Sequence, residues 1–255
     1  MSAVPSGQAR EDLSLTAIFG LERMPDGSRD EAARDMTRPS TRMTLAGTAL
    51  PPRPWAPNLA WPHVAAPGTV RREWDWVAGR LAMSRAFRLH TGDDRRDALP
   101  VLVAYRPGGR PYLPAAPALW CSIAHSHGWA IAGISSCPIG VDIEKIRRHH
   151  PALLLSVASA AEISRVAARV ADPEHVVTVL WTIKEAAMKA TGEGLGIPPR
   201  RVRIVEFDGR SAQVTVTAAS SFPAELRVTT VRRDSHYLSI AQPEGSDEIP
   251  RVDWH

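Results

Sequence analysis

The chain has 255 residues, of which 44% are hydrophobic and 23% charged, as in ordinary globular proteins with one large domain or two small ones. The formal net charge of +4 and the sequence pI of about 9.5 suit phosphate ligands or acidic partners, and equally suit a plain solvated surface. Cys121 and Cys137 are too few for a disulfide framework, and we expect both to be buried free thiols.

The N-terminus and one apolar segment decide between a membrane protein and a soluble one. The N-terminus has no apolar signal core. Residues 113–141 lack Asp, Glu, Lys and Arg, but prolines and glycines interrupt them. This punctuation indicates buried strands and a turn instead of a lipid-facing helix. The sequence therefore predicts a soluble, cytoplasmic protein without a membrane partner.

The first half combines irregular segments with one helix and short strands. Residues 1–45 are polar and aperiodic, so we expect a poorly ordered segment. From Val70 to about His90 the spacing predicts a helix. Its apolar stripe comprises Trp74, Val77, Leu81, Met83 and Phe87. The other predicted elements are a Pro- and Trp-rich loop over 51–68, a strand over 99–105, a turn over 107–111, and two strands, 119–123 and 130–134, around residues 125–128.

The second half has clearer helix and strand signals. Residues 139–143 predict a strand and residues 151–169 a helix. The next helix has Asp172 as its N-cap, Pro173 at its first position and Gly192 just beyond its end. Beyond Pro199 alternating segments predict a β-meander, and the tail from Gln242 is expected to be loose.

Asp142 and Glu144 stand two residues apart in the predicted strand. Side chains at this spacing project from the same face, with Val141 and Ile143 on the other. Paired carboxylates are typical of a solvated strand face, and they also suit a divalent cation. The pair alone leaves both interpretations open.

Glu185 and Lys189 lie one turn apart on the predicted helix after Asp172. A surface ion pair is the simpler interpretation of these two residues. The apolar side of this helix would dock it on the sheet, which allows Glu185 to face Asp142 and Glu144. Three carboxylates with room for water and phosphate suit Mg²⁺, with Mn²⁺ as an alternative. His125 and His127 fit either a turn or a ligand contact.

Five stretches of the sequence act together as a pattern. These are Asp75-Trp76 with Ala78-Gly79-Arg80, Gly109-Arg110-Pro111, Ser122-Ile123-Ala124-His125-Ser126, Gly140-Val141-Asp142-Ile143-Glu144-Lys145, and Trp181-Thr182-Ile183-Lys184-Glu185-Ala186 with Lys189. Each stretch is weak alone, and the combination is specific. In this order they resemble the surfactin-type 4′-phosphopantetheinyl transferases of the WxxKEA subgroup, and the resemblance covers residues 71–207.

The resemblance implies an α+β fold made of a pseudo-twofold pair of similar α+β halves, with the active site in the cleft between them. We expect the halves over residues 46–135 and 136–241, after the N-terminal segment 1–45 and before the loose tail 242–255. Such a chain needs no dimer, so a monomer is expected.

The resemblance also implies a reaction and a role for each site residue. The 4′-phosphopantetheine group of coenzyme A would pass to a serine of an apo acyl or peptidyl carrier protein, releasing adenosine 3′,5′-bisphosphate. The metal ligands would be Asp142, Glu144 and Glu185, with Glu185 also the base. Lys189 would bind coenzyme A and neutralise charge as adenosine 3′,5′-bisphosphate leaves, and Arg110 and His125 would contact the nucleotide phosphates. One or more of Arg71, Arg72 and Arg80 would contribute.

Ala124 departs from the family, since serine is usual there, and a hydroxyl contact to phosphate would be lost. This departure leaves a non-catalytic homologue that binds coenzyme A or a carrier as one alternative. A metal-dependent nuclease or phosphodiesterase is a second, although Lys145 directly follows Glu144 and so lacks the ExK spacing of many nucleases. We expect no nucleic-acid partner. Peptide synthetase, polyketide synthase and fatty-acid carriers remain open.

Overall fold

The computed structural model describes residues 44–49, 70–92, 100–217, 225–246 and 251–254. The poorly ordered segment predicted over 1–45 lies outside these ranges except for Thr44 and Leu45, which belong to a strand, and the loop predicted over 51–68 lies wholly outside them. The described strands are Thr44–Ala49 (β1), Ala104–Tyr105 (β2), Pro111–Tyr112 (β3), Trp120–Ser126 (β4), Trp129–Ser135 (β5), Gly140–Lys145 (β6), Val202–Phe207 (β7), Ser211–Val216 (β8), Glu225–Arg233 (β9), His236–Pro243 (β10) and Arg251–Trp254 (β11). The described α-helices are Val70–Thr91 (α1), Pro151–Val157 (α2), Ala160–Ala167 (α3) and Val176–Ala190 (α4).

Two larger sheets organise the described residues, and a short ribbon pairs β2 with β3. The first sheet has the order β11-β1-β5-β4, and the second has the order β6-β10-β9-β8-β7. Helix α1 packs on the first sheet and α4 on the second. The predicted α+β class is confirmed, and each half places a long helix against a sheet. The chain passes from the first sheet to the second between Ser135 and Gly140, whereas the domain boundaries stay predictions.

Small side chains let α1 lie close to the first sheet. Ala78, Ala82, Met83 and Ala86 are fully buried in one cluster with residues of β4 and β5. The predicted stripe was partly wrong, because Leu81 is only half-buried. Because alanines allow the helix axis to lie near the strands, the buried face of α1 consists mainly of small residues instead of the predicted stripe of large ones. The side chain of Trp74 lies outside the described part.

The two sheets share a core because every second side chain of β4 and of β6 points into the space between the sheets. Ala124 and Ile131 of the first sheet pack with Val141, Ile143 and residues of β10. The alternate residues of β4 turn toward α1 and the open side of the molecule. Thus each edge strand has one face in the inter-sheet core and the other free for a site.

The predicted start of helix α4 is a 3₁₀ turn over Pro173–His175, and the α-helix itself begins three residues later, at Val176. The side chain of Asp172 accepts a hydrogen bond from the Glu174 amide at 2.9 Å, and Pro173 opens a 3₁₀ turn that leads into α4. The helix ends before Gly192, whose φ of +79° suits glycine. Leu180 and Ile183 are fully buried in the core of the second half, which docks this face of α4 on the second sheet.

The helix predicted over residues 151–169 is wrong in one respect, since it is two helices. Ala158 is extended, and Ser159 caps α3 in a capping box with Glu162. The hydrogen bonds between the side chains and backbone amides of Ser159 and Glu162 replace those that a continuous helix would make here, so α2 ends and α3 begins anew.

Several strand and turn predictions also need correction. The strand predicted over 99–105 is confined to Ala104–Tyr105 in the described residues. His125 and Ser126 belong to β4, so the turn contains only His127 and Gly128, with φ of 45° and 91°. Cys121 is buried as predicted, but Cys137 is half-buried, and both are free.

The tail expected to be loose contains a strand. Residues 236–243 form β10, and Arg251–Trp254 pairs in parallel with Thr44–Ala49. The C-terminal segment thereby joins the first sheet, which local sequence signals do not reveal. Within the described ranges, none of the helices is long and apolar enough to cross a bilayer.

Candidate active and metal site

Asp142, Glu144 and Glu185 converge as the sequence predicts. One carboxylate oxygen from each lies within 4.8 Å of the others. Asp142 is buried, while Glu144 and Glu185 are half-buried. The carboxylates on one face of β6 and the carboxylate on the facing side of α4 therefore meet between these two elements.

A glycine sets the close approach of these two elements. A Cβ atom built on Gly140 would lie 1.9 Å from the carbonyl oxygen of Ala186 and 2.5 Å from the amide nitrogen of Ala190. Only glycine fits there without displacing the helix backbone. Because Gly140 is two residues before Asp142, this contact also brings Glu185 and Lys189 beside the acidic pair.

Lys189 is the nearest cation to the acids. Its Nζ donates to Asp142 Oδ1 at 2.8 Å and lies 3.7 Å from Glu185 Oε1. Burial lowers the pKa of Lys189, but the carboxylates of Asp142, Glu185 and Glu144 outweigh it and hold that pKa above its usual value. The lysine therefore stays charged at neutral pH.

The acids repel one another in the absence of a further cation. Burial, together with repulsion from Glu185 and Glu144, raises the pKa of Asp142 to about 8 despite Lys189. Burial and the charge of Glu185 also raise the pKa of Glu144, although a hydrogen bond from Ser126 opposes this. The cause in both cases is negative charge held in a poorly solvated place.

The residues present fit a divalent cation. Asp142 Oδ2 is buried and accepts no hydrogen bond from the described residues. Three ionised carboxylates and one lysine leave a net charge of −2, which one divalent cation neutralises. An all-oxygen donor set with room for water favours Mg²⁺ or Mn²⁺ over zinc.

A cavity of about 650 Å³ opens beside the acids, within the usual size of small-molecule sites. Four predicted contacts line it together with Glu185, namely Arg80, Arg110, His125 and Lys189. The first three come from the N-terminal half and Lys189 from α4. The side chain of Arg72 lies outside the described part, although its backbone belongs to α1.

Aromatic rings hold the two arginines of the cavity. The guanidinium of Arg80 lies 4.0 Å from the Trp76 ring centre and donates to the Tyr105 hydroxyl at 2.9 Å. That of Arg110 lies 3.9 Å from the Trp120 ring centre. Burial and the charge of neighbouring Arg106 lower the pKa of Arg110. The usual pKa of arginine is so high that the group nevertheless stays charged. Both cations are therefore preorganised to meet anionic groups.

Asp75 approaches the predicted phosphate contact His125. Its Oδ2 lies 3.9 Å from His125 Nδ1. Burial lowers the pKa of His125, while Asp75 opposes that effect. The Asp75-Trp76 pair was visible in the sequence only as part of a family pattern.

Sequence reasoning missed Tyr105 and Trp120 as supports of the arginines, and Ser126 as a partner of Glu144. Ser126 Oγ donates to Glu144 Oε2 at 3.0 Å. The only sequence signal was the position of Ser126 in the stretch 122–126. His127 is exposed in the turn beside it, and its Nδ1 lies 3.2 Å from Ser126 Oγ.

Ala124 lies on the face of β4 opposite to His125. Its side chain is buried with Ile131 and Val141 between the sheets. The cavity is lined instead by Ile123 and His125. The absence of a hydroxyl at position 124 therefore changes the inter-sheet core.

A second cavity, of about 260 Å³, borders the acids on the side of Glu144. Its walls are Leu153, Val177 and Trp181, with polar groups from Arg147, His149 and Thr178. The acid cluster thus lies between a cavity with Arg80 and Arg110 in its walls and a smaller one with Leu153, Val177 and Trp181 in its walls.

Comparison with known proteins gives a consistent family. A model of the 4′-phosphopantetheinyl transferase superfamily matches residues 138–241. The chain is 31% identical to the 4′-phosphopantetheinyl transferase Sfp of Bacillus subtilis strain 168 over 183 residues, or 70% of this chain and 77% of Sfp. It is 35% identical to another Bacillus subtilis 4′-phosphopantetheinyl transferase over 91 residues, 35% of this chain and 41% of that protein. It is 31% identical to the transferase ffp of Bacillus subtilis over 123 residues, 48% of this chain and 52% of ffp.

The chain thus spans less than two thirds of two of these relatives and more than two thirds of Sfp. The matched region contains Asp142, Glu144, Glu185 and Lys189. With these residues gathered at one point beside a cationic cavity, the chain belongs to the 4′-phosphopantetheinyl transferase superfamily and to its Sfp-like enzymes.

Proposed function

We propose that this protein transfers the 4′-phosphopantetheine group of coenzyme A to a serine hydroxyl of an apo acyl or peptidyl carrier protein. The other product is adenosine 3′,5′-bisphosphate. The observation that carries the proposal is the convergence of Asp142, Glu144 and Glu185 within 4.8 Å at the edge of a cavity with arginine walls. A pyrophosphate at this edge would lie between the metal cation held by the acids and the arginines of the cavity, so positive charge would face it from both sides.

The site residues have distinct roles in this reaction. Asp142, Glu144 and Glu185 would hold Mg²⁺ or Mn²⁺, which supplies charge neutralisation on the phosphate oxygens. Arg80, Arg110 and His125 bind and orient the nucleotide phosphates, with Arg72 a further candidate. This arrangement fits phosphoryl transfer, where positioning and electrostatic stabilisation provide most of the catalysis.

The proton and the leaving group both have a destination. A bond forms between the serine oxygen and the phosphorus that carries pantetheine, and the bond from that phosphorus to the bridging oxygen breaks. Glu185 receives the serine proton directly or through water. Lys189 faces the acids and stabilises the negative charge that develops on the departing phosphate.

The acid cluster also divides the substrate between the two cavities. The nucleotide would occupy the cavity with the arginine walls, and the uncharged pantetheine arm would occupy the cavity formed by Leu153, Val177 and Trp181. The bond to be broken would then lie at the acids. We expect the protein to act in the cytoplasm as a monomer.

Intact-mass measurement of a carrier protein tests this proposal. The protein with coenzyme A, Mg²⁺ and apo carriers of peptide synthetase, polyketide synthase and fatty-acid type should make at least one carrier heavier by one phosphopantetheine. Glu185→Gln and Asp142→Ala should abolish the mass gain while the circular dichroism spectrum stays native. Glu225→Gln, at an exposed position on β9, is the matched control and should retain transfer.

The outcomes separate the alternatives. A folded protein that binds coenzyme A and modifies none of the carriers with Mg²⁺ or Mn²⁺ would be a non-catalytic homologue. The position of Ala124 between the sheets weakens the main reason for that alternative. Metal-dependent cleavage of DNA without carrier modification would identify a nuclease.

A further inference from the structure

The two sheets are joined at their edges by serine side chains. Strands β4 and β6 are the outermost strands of their sheets and contact each other. Ser122 Oγ accepts a hydrogen bond from the Val141 amide at 3.0 Å, and Ser126 Oγ accepts one from the Lys145 amide at 3.2 Å. Two amides of the metal-site strand are thus bonded to hydroxyls of the strand that carries His125.

Ser126 differs from Ser122 in having a second task. Its hydroxyl has one proton and two lone pairs. The proton goes to Glu144 Oε2 at 3.0 Å, because an ionised carboxylate only accepts. The oxygen accepts from the Lys145 amide at 3.2 Å, and His127 Nδ1 lies 3.2 Å away. The bonds to Glu144 and from the Lys145 amide together hold the Ser126 hydroxyl between β4 and β6.

Glu144 needs such a restraint. It is half-buried, and its two carboxylate neighbours Asp142 and Glu185 both repel it. Without a donor on its other side, its flexible side chain could relieve this repulsion by turning toward solvent. Lys189 does not replace the restraint, since it forms its ion pairs with Asp142 and Glu185.

We propose that Ser126 is a positioning residue, which holds Glu144 in place as the third oxygen ligand of the cation site. This inference rests on the proposed function only for the identity of the cation. A residue behind a metal ligand typically changes metal affinity by about 10- to 100-fold when it is removed.

Direct binding of Mn²⁺ to the full chain, followed by electron paramagnetic resonance of free Mn²⁺, tests the role. Ser126→Ala should weaken Mn²⁺ binding by about 10-fold. Ser126→Thr keeps the hydroxyl and should restore affinity close to that of the wild type. Ser126→Cys, which keeps the shape but donates weakly, serves if the alanine variant melts early.

Ser122→Ala is the matched control for the strand junction. It removes one hydrogen bond between β4 and β6 but no bond to a carboxylate. It should lower the melting temperature by no more than Ser126→Ala does and leave Mn²⁺ affinity unchanged. Wild-type affinity in Ser126→Ala, or equal weakening in Ser122→Ala, would overturn the inference.

The same measurements separate the inference from the proposed function. Weakened Mn²⁺ binding in Ser126→Ala, without phosphopantetheine transfer by the wild type, would support the positioning role and reject the transferase. A wild-type protein that binds no Mn²⁺ would overturn both.

Discussion

A buried carboxylate on the far side of α4 shows how single residues stabilise the site indirectly. Glu162 Oε1 accepts from Lys184 Nζ at 2.6 Å and from the Ile204 amide at 3.1 Å. Its Oε2 accepts from the amide and the hydroxyl of Ser159. Lys184 is fully buried and directly precedes Glu185. This ion pair fixes α4 between α3 and β7 and so fixes the helix that carries Glu185.

The ionisation of Glu162 makes its contribution depend on pH. Burial raises the pKa of Glu162, but the bonds from Lys184, Ser159 and Ile204 outweigh burial and lower it to about 2. A folded-state pKa below the usual 4.5 means that the contribution is complete above pH 4.5. It is lost as the pH falls through about 2.

Glu162→Gln should therefore destabilise the protein most at neutral pH. It leaves Lys184 buried without its counter-charge, which typically costs about 3–5 kcal/mol in the free energy of unfolding. The difference from wild type should shrink between pH 4.5 and about 2. Urea unfolding at a series of pH values measures it, with exposed Glu225→Gln as control. A difference that does not change with pH would contradict this account.

At the residue scale, the sequence predicted the acids and missed their supports. Spacing on one strand face and one helix face, a local property, made Asp142, Glu144, Glu185 and Lys189 candidates. The family resemblance then favoured a metal site over a solvated strand face and a surface ion pair. Ser126, Tyr105 and Trp120 act through contacts across the fold, which spacing does not encode. The role of each predicted residue, and the WxxKEA subgroup, stay predictions that rest on the resemblance.

At the scale of elements, the contact between β6 and α4 determines the geometry of the site. The backbone of α4 passes so close to Gly140 that any side chain there would meet Ala186 or Ala190. Thr182 Oγ1 donates to Ser239 Oγ at 2.8 Å and adds a polar contact between α4 and neighbouring β10. The position of Glu185 relative to Asp142 therefore depends on a contact that includes no catalytic side chain.

Gly140→Ala should separate the acids. We expect a loss of about 1–3 kcal/mol in the free energy of unfolding from overpacking, and a fall in transfer rate of about 100-fold for a shift of about 1 Å. Urea unfolding and initial rates at a temperature where the variant is folded measure the two effects. Gly196→Ala is the control, because a Cβ atom there meets nothing within 4 Å. Equal behaviour of the two variants would show that the close approach is unimportant.

Local signals predicted some elements and failed for others. Gly192 located the end of α4, and Asp172 and Pro173 located the 3₁₀ turn that leads into it, because caps and helix ends depend on neighbouring residues. The break before α3 also had a local signal, the Ser159 and Glu162 spacing of a capping box, which the helical periodicity concealed. Strand β11 had none, because its pairing with β1 joins residues about 200 positions apart, a separation that propensity does not address.

At the scale of the whole molecule, two helix-covered sheets meet along β4 and β6. The large cavity takes Arg80, Arg110 and His125 from one half and Glu185 and Lys189 from the other. The periodicities predict helices and strands, but only the resemblance suggested two halves with a cleft between them. A substrate in this cleft would contact both halves, which explains why the site residues are spread over more than a hundred positions.

The arrangement of two cavities around the acids can be tested without touching the acids. Val177 borders the smaller cavity and lies outside the main core cluster of α4, so Val177→Phe should fill the cavity without disrupting the fold. If the pantetheine arm binds there, KM for coenzyme A should rise. Adenosine 3′,5′-bisphosphate lacks that arm, so its inhibition constant should not change.

Steady-state kinetics with coenzyme A and product inhibition by adenosine 3′,5′-bisphosphate measure both quantities on one variant. If the larger side chain occupies space that the pantetheine arm needs, the loss of about 1–3 kcal/mol of binding free energy should raise KM by roughly 10-fold or more. Val205→Phe, on the exposed face of β7, is the size-matched control. Equal weakening of the two ligands would mean that the nucleotide also reaches the smaller cavity. Unchanged KM would mean that pantetheine leaves the acids by another path, since the larger side chain at position 177 would then occupy space that the substrate never enters.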